Sequence, residues 1–184
     1  MPRFRTLGLL VALAPACGGA SNQYHVARGA HGELPYHSEG CRTDSSAHVA
    51  VKDGRFFEAV APGRARVECA DDSYVLDVEE VARVELRRWP ALEADHAGFV
   101  SLSLFAYDQD GRELYLGNFV DVAWQIPATL EQRSGCHGDI LPSCDPGYTI
   151  AVRANGAGDH RVVAGFAGRE ASIDLDGPAA RAPR

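Results

Sequence analysis

The groups in this sequence best suited to chemistry are thiols, imidazoles and carboxylates. Cys136, His137, Asp139 and Cys144 share the segment "CHGDILPSC", and these side-chain types are the donors that hold zinc. Their spacing matches no zinc knuckle, and in an exported chain the two thiols read instead as a local disulfide. "DQDGRE" sets Asp108, Asp110 and Glu113 around Gly111 like part of a calcium loop. The first ligand would then be Ala106 and the bidentate acid Gly117, so the segment reads as a hairpin turn. His25, His31 and His37 recur every six residues, a spacing that aligns on neither face of a helix. There is no G-x-S-x-G elbow, no H-E-x-x-H pair and no glycine-rich phosphate loop. No catalytic residue, metal or cofactor is therefore assigned.

The remaining chemistry sits at the start of the chain. Arg3 and Arg5 precede an apolar run from Leu7 to Ala14, and the small residue Ala16 precedes Cys17. That order is an export signal, and the run is far shorter than the roughly 20 residues of a spanning helix. A cysteine after a small residue resembles the lipobox of bacterial lipoproteins, which implies cleavage after residue 16 and lipid on Cys17. Ala14, Pro15 and Ala16 also fit ordinary secretory cleavage at the same bond, so a plainly secreted product stays open. The count of 5 cysteines favours lipid, because an acylated Cys17 leaves an even set: Cys41, Cys69, Cys136 and Cys144. Gly18 after the cysteine points to the outer membrane by analogy with other diderm lipoproteins.

Losing residues 1–16 removes Arg3, Arg5 and no acid, so the net charge moves from −7 to −9. So acidic a chain, without a basic run, repels phosphate backbones, and nucleic acid is not an expected partner. Apolar content of 46% suits a packed core.

The elements that must position these groups are strands. "RARVECA" turns Ala65, Val67 and Cys69 one way, and "SYVLDVE" does the same with Tyr74, Leu76 and Val78. "FVSLSLFAY", "VDVAWQI", "HRVVAGF" and "REASIDLD" repeat this period of two, the mark of strands with one face on a core. Asp53-Gly54, Asp110-Gly111 and Ala167-Gly168 supply tight turns, and Pro62-Gly63 and Pro146-Gly147 supply corners. No amphipathic helix stands out; the best segment, Pro90 to His96, is too short. An internal repeat sets Gly63 on Gly158 and Val67 on Val162, an offset of 95 residues. The expected architecture is all-β: a signal peptide over 1–16, a lipidated flexible tether over 17–35, a shortened sandwich over 36–80, a fuller sandwich over 81–177 and a disordered tail over 178–184.

"VARVEL", "LFAYDQDGREL", "VDVAWQI" and the closing "VRANGAGDHRVVAGFAGREASIDL" resemble the bacterial immunoglobulin-like (Big) domains; the first copy matches only through "DGRFFEAVAPGRARVECADDSYVLDV". The resemblance implies immunoglobulin-like sandwiches used as spacers or adhesive modules, and it transfers no catalytic residue. Under the repeat, Cys41 takes the place of Trp124 and Cys69 that of Ala164, which implies a Cys41–Cys69 bridge across the first sandwich. Cys136–Cys144 would then close the local loop; pairings that join the two sandwiches stay open. Phe105, Tyr107 and Tyr115 flank the "DQDG" turn, as an outward aromatic patch for a sugar or protein or as cover for a neighbouring domain. The functional expectation is a non-catalytic, lipid-anchored envelope protein that acts as a structural, adhesive or protein- or glycan-binding module. An enzyme inhibitor and an accessory subunit of an envelope complex are the alternatives.

Overall fold

The computed structural model describes residues 22–34, 39–88, 99–133 and 147–175. Cys17, His37, Cys136, Cys144, the Pro90–His96 segment and both termini lie outside these residues. The first half supplies β1 (Asn22–Ala27), β2 (His31–Glu33), β3 (Arg42–Thr43), β4 (Val49–Lys52), β5 (Phe56–Ala59), β6 (Gly63–Glu68) and β7 (Ser73–Glu79). The second supplies β8 (Arg83–Arg88), β9 (Val100–Tyr107), β10 (Glu113–Leu114), β11 (Ala123–Gln125), β12 (Leu130–Arg133), β13 (Thr149–Ala154), β14 (Arg161–Phe166) and β15 (Arg169–Asp174).

These strands form four sheets, and no sheet mixes the two halves. In the first half β2-β5-β4 faces β1-β7-β6-β3, with β1 parallel to β7. In the second, β8-β9-β13-β12 faces β11-β14-β15, and β10 extends the β13 edge of β9. The second half thus follows the ABED-and-CFG pairing of an immunoglobulin-like sandwich, whereas in the first the opening strand β1 leaves the β2-β5-β4 sheet and runs parallel to β7. Alternation explains the strands: Ala65 and Val67 of β6 are buried between exposed Arg64, Arg66 and Glu68. Tyr74, Leu76 and Val78 of β7, and Val162, Ala164 and Phe166 of β14, are buried in the same rhythm. Inward residues of both halves, from Val49, Phe57 and Val67 to Leu104, Leu116 and Phe166, belong to one continuous core.

Three features depart from the sequence reading. The part of the expected tether within residues 22–34 is folded: β1 and β2 lie inside the span assigned to flexible chain. Tyr24 and Val26 of β1 turn toward the core while Gln23 and His25 face outward, so this short segment gains a full ladder along β7. With these strands the first sandwich has seven strands among the described residues and is not shortened. Finally, Cys41 and Cys69 are joined by a disulfide whose Cα atoms stand 4.0 Å apart. The bridge lies within one sheet and not across the core, because β3 and β6 are hydrogen-bonded neighbours with Arg42 opposite Glu68. The pairing still repeats: Trp124 pairs with Ala164 as Cys41 meets Cys69, with Cys69 95 residues before Ala164.

Turn chemistry is as the dipeptides require. Asp53 and Gly54, at φ 53° and 64°, are the central pair of the turn that together with Arg55 connects β4 and β5, and Ala167 and Gly168, at 50° and 73°, make the two-residue turn between β14 and β15. Both residues of each pair are left-handed, matching the twist of the flanking strands. In the "DQDG" turn, Asp108 is buried and its carboxylate accepts the Arg112 N–H at 2.8 Å. Its charge is thereby spent on closing the hairpin.

One carboxylate ties three strands of the first sandwich together. Asp77 of β7 accepts from Arg64 of β6 at 2.6 and 3.0 Å and from Gln23 of β1 at 2.6 Å. The Arg64 hydrogen bonds hold its carboxyl below the usual carboxylate range, against the opposing effect of burial. A carboxyl acidified by folding stabilises the fold above its unfolded pKa and loses that contribution as pH falls through the folded value. Asp77→Asn is therefore expected to cost about 2 kcal/mol at pH 7, with the difference from wild type closing below about pH 4. Denaturant midpoints measured across that range check it.

Candidate functional site

The chain segment after β10 builds the site because it is stitched to the first sandwich through its backbone. Tyr115 donates its N–H to the His25 carbonyl at 2.8 Å and accepts the Ala27 N–H at 3.0 Å, which makes a parallel bridge to Val26. Three residues on, the Asn118 side chain accepts the Glu33 N–H at 2.8 Å, and Phe119 donates to the His31 carbonyl at 3.1 Å. Gly117 passes between them at φ 76°, so close that a Cβ would stand 2.2 Å from the His31 carbonyl oxygen. Two strands assigned by sequence to a tether thus form the docking edge of the second sandwich.

Above this junction opens a cleft of about 650 Å³. Its floor is Leu104, Leu114 and Leu116, all buried. Its walls are aromatic: Tyr24 of β1, Phe105 of β9, Tyr115, and Tyr148 just before β13. Tyr148 is placed by its carbonyl, which accepts the Leu104 N–H at 2.9 Å. Tyr115 packs on Tyr24 with centroids 6.3 Å apart and stacks on Phe57 of the first sandwich at 6.1 Å. The cleft lies where the edge of β9 passes from its pairing with β13 to its pairing with β10. There Ser103 and Thr149, opposite each other in register, share a hydroxyl–hydroxyl bond of 2.9 Å.

The rim is polar, with Gln23, His25, Arg112 and Glu113. The Arg112 guanidinium donates to His25 Nδ1 at 2.9 Å and lies 3.9 Å from both Glu79 and Asp108 carboxylates. Burial pushes the Tyr115 and Tyr148 phenols up. Neighbouring charge acts the same way: Tyr148 and Tyr24 on Tyr115, and Glu113 on Tyr148.

Of the three aromatics singled out by sequence, the fold brings two together. Phe105 and Tyr115 line the cleft, whereas Tyr107 is only 5% exposed and lies under the Arg83 guanidinium, 3.8 Å from its ring centroid. Tyr107 is therefore no part of an outward patch; β8 arginines cover it. Arg87, 4.8 Å over Phe105, covers part of that ring as well. Tyr24, Tyr148 and the rim residues Gln23, His25 and Arg112 escaped the sequence reading, because they come from segments far apart in the chain. The one available signal was the aromatic Tyr24 alternating with Val26 in the presumed tether. His31 is not solvated tether either: it stacks on Phe119 at 6.4 Å. Among the described residues, no three His, Cys, Asp or Glu side chains converge to hold a metal ion.

No protein-family profile matches the chain. No curated protein matches it. Several solved structures do. Domains 5–6 of the surface-layer protein SbsC are 14% identical, with 84% of this chain and 92% of that one covered at a TM-score of 0.34. The D00–D0 domain of intimin is 11% identical, with 84% and 96% covered at a TM-score of 0.28. The Escherichia coli adhesin FdeC is 13% identical, with 84% and 54% covered at a TM-score of 0.32. Against the longer SbsC fragment of domains 4–9 the chain spans 29% of the length, at 15% identity and a TM-score of 0.34.

Proposed function

We propose that this chain is a lipid-anchored protein of the bacterial envelope, held to the outer membrane through acylated Cys17. Its two immunoglobulin-like sandwiches form one non-catalytic recognition module. The observation that carries this reading is the junction: backbone hydrogen bonds from Tyr115 and Phe119 fuse the sandwiches and leave an aromatic cleft between them. A spacer needs no such cleft; a module that recognises a ligand does. The groups lining it suit binding better than bond cleavage. Ser103 and Thr149 are bonded to each other, and His25 lies between the Arg112 guanidinium and the Glu79 carboxylate. An accessory subunit of an envelope complex is the second reading, favoured by Phe119, which stays 47% exposed beside His31 and Phe56.

The anchor is tested by growing cells with a labelled fatty acid. Wild type is expected to carry label in the membrane fraction and Cys17→Ser to carry none and to partition as soluble protein. An unlabelled wild type rejects the anchor.

A further inference from the structure

The ligand class of the cleft follows from its charges and faces. Four aromatic rings, of Tyr24, Phe105, Tyr115 and Tyr148, line the cleft, and aromatic faces carry negative quadrupole density. The rim and its immediate neighbours hold three carboxylates, Glu79, Asp108 and Glu113, against two guanidiniums: Arg112, drawn to Glu79, Asp108 and His25, and Arg87, held over Phe105 and hydrogen-bonded to Glu85. The whole chain is acidic, with a net charge of −7. A cation with an apolar shell complements such a site. A primary ammonium would have to give up strong hydration over a leucine floor that returns no hydrogen bond. A quaternary ammonium has no N–H to satisfy and spreads its charge over methyl groups that pack on ring faces.

We infer that the junction cleft binds a trimethylammonium group, with Tyr24, Tyr115 and Tyr148 as its aromatic walls and Glu113 as its counter-charge. This rests on reading the cleft as the recognition site and names the chemistry that site selects. The group reaches an envelope protein either as a free small molecule or as a lipid headgroup, and the same contacts serve both.

The test is a titration of the full chain followed by the tyrosine ring resonances, with choline chloride, its neutral isostere 3,3-dimethylbutanol and a neutral disaccharide as probes. Choline is expected to bind saturably and at least about tenfold more tightly than the isostere. Tyr148→Leu is expected to weaken choline by about fivefold or more, while Tyr148→Phe keeps the affinity. Glu113→Gln, on an exposed side chain that leaves the fold intact, is expected to weaken choline about threefold or more and to leave the isostere unchanged. Vesicles of phosphatidylcholine reproducing the shifts where phosphatidylglycerol does not would assign the headgroup as source; free choline alone acting would assign the small molecule. Equal binding of choline and isostere, shifts by the disaccharide alone, or no shift with any probe overturns the inference. Failure of Cys17 labelling would fell the anchor and leave this result untouched. A partner cross-linked at Tyr115 without choline binding would keep the recognition site and discard its proposed ligand.

Discussion

Gly117→Ala is expected to destabilise the protein by about 3 kcal/mol or more, among the largest effects of any single methyl group in this chain. Two costs combine. At φ 76° an L-residue gives up about 1 kcal/mol of backbone preference. The added Cβ would also stand 2.2 Å from the His31 carbonyl oxygen and 2.6 Å from its carbon. Those atoms are backbone, and moving them breaks the Phe119–His31 hydrogen bond that helps hold the sandwiches together. Gly111→Ala is the matched control: its φ is 79°, yet a Cβ there meets nothing within 4 Å. Only the conformational cost applies, so about 1 kcal/mol is expected. Equilibrium unfolding of both variants gives the comparison. In Gly117→Ala the single cooperative transition is also expected to split in two, as the halves lose their shared backbone bonds. Equal losses at the two glycines would mean that the close approach does not govern the junction.

Removing the Cys41–Cys69 bridge by Cys41→Ser together with Cys69→Ser is expected to cost about 3.6 kcal/mol from chain entropy alone, given a sequence separation of 28 residues. Cys41 is 4% exposed and belongs to the core, so a serine hydroxyl placed there adds a desolvation penalty. Unfolding of wild type with and without reductant, beside the double variant, checks the figure. Reduced wild type should show the loss from chain entropy alone, and the double variant that loss plus the penalty of the buried hydroxyl. A loss under about 1 kcal/mol would mean that β3 is held by its ladder to β6 and not by sulfur. The second sandwich makes the point by comparison. At the equivalent register it uses Trp124 opposite Ala164, with a large apolar side chain where the first sandwich uses a covalent bond.

Much of the fold was legible because its strands alternate and its turns are spelled by dipeptides. β6, β7, β14 and β15 follow their apolar positions, and Asp53-Gly54 and Ala167-Gly168 take the left-handed pairs that such residues favour. The 95-residue offset even holds to the residue between Cys69 and Ala164. β1 and β2 were missed for a physical reason. Their apolar residues are few, and their stability comes from long-range ladders, to β7 for one and to β5 for the other. Local period cannot report such pairing. The cleft was half legible: Phe105 and Tyr115 lie close in sequence around one hairpin, but Tyr24 and Tyr148 arrive by topology. Tyr107 was misplaced because alternation assigns a face and says nothing of the arginines that cover it.

Because β1 begins at Asn22, an acyl group on Cys17 would stand five residues along the chain from the first strand. Five residues at full stretch span about 17 Å, where the nineteen of a tether over 17–35 would span about 65 Å. A molecule so anchored would stand close to the bilayer, and its partners would have to come down to the lipid surface.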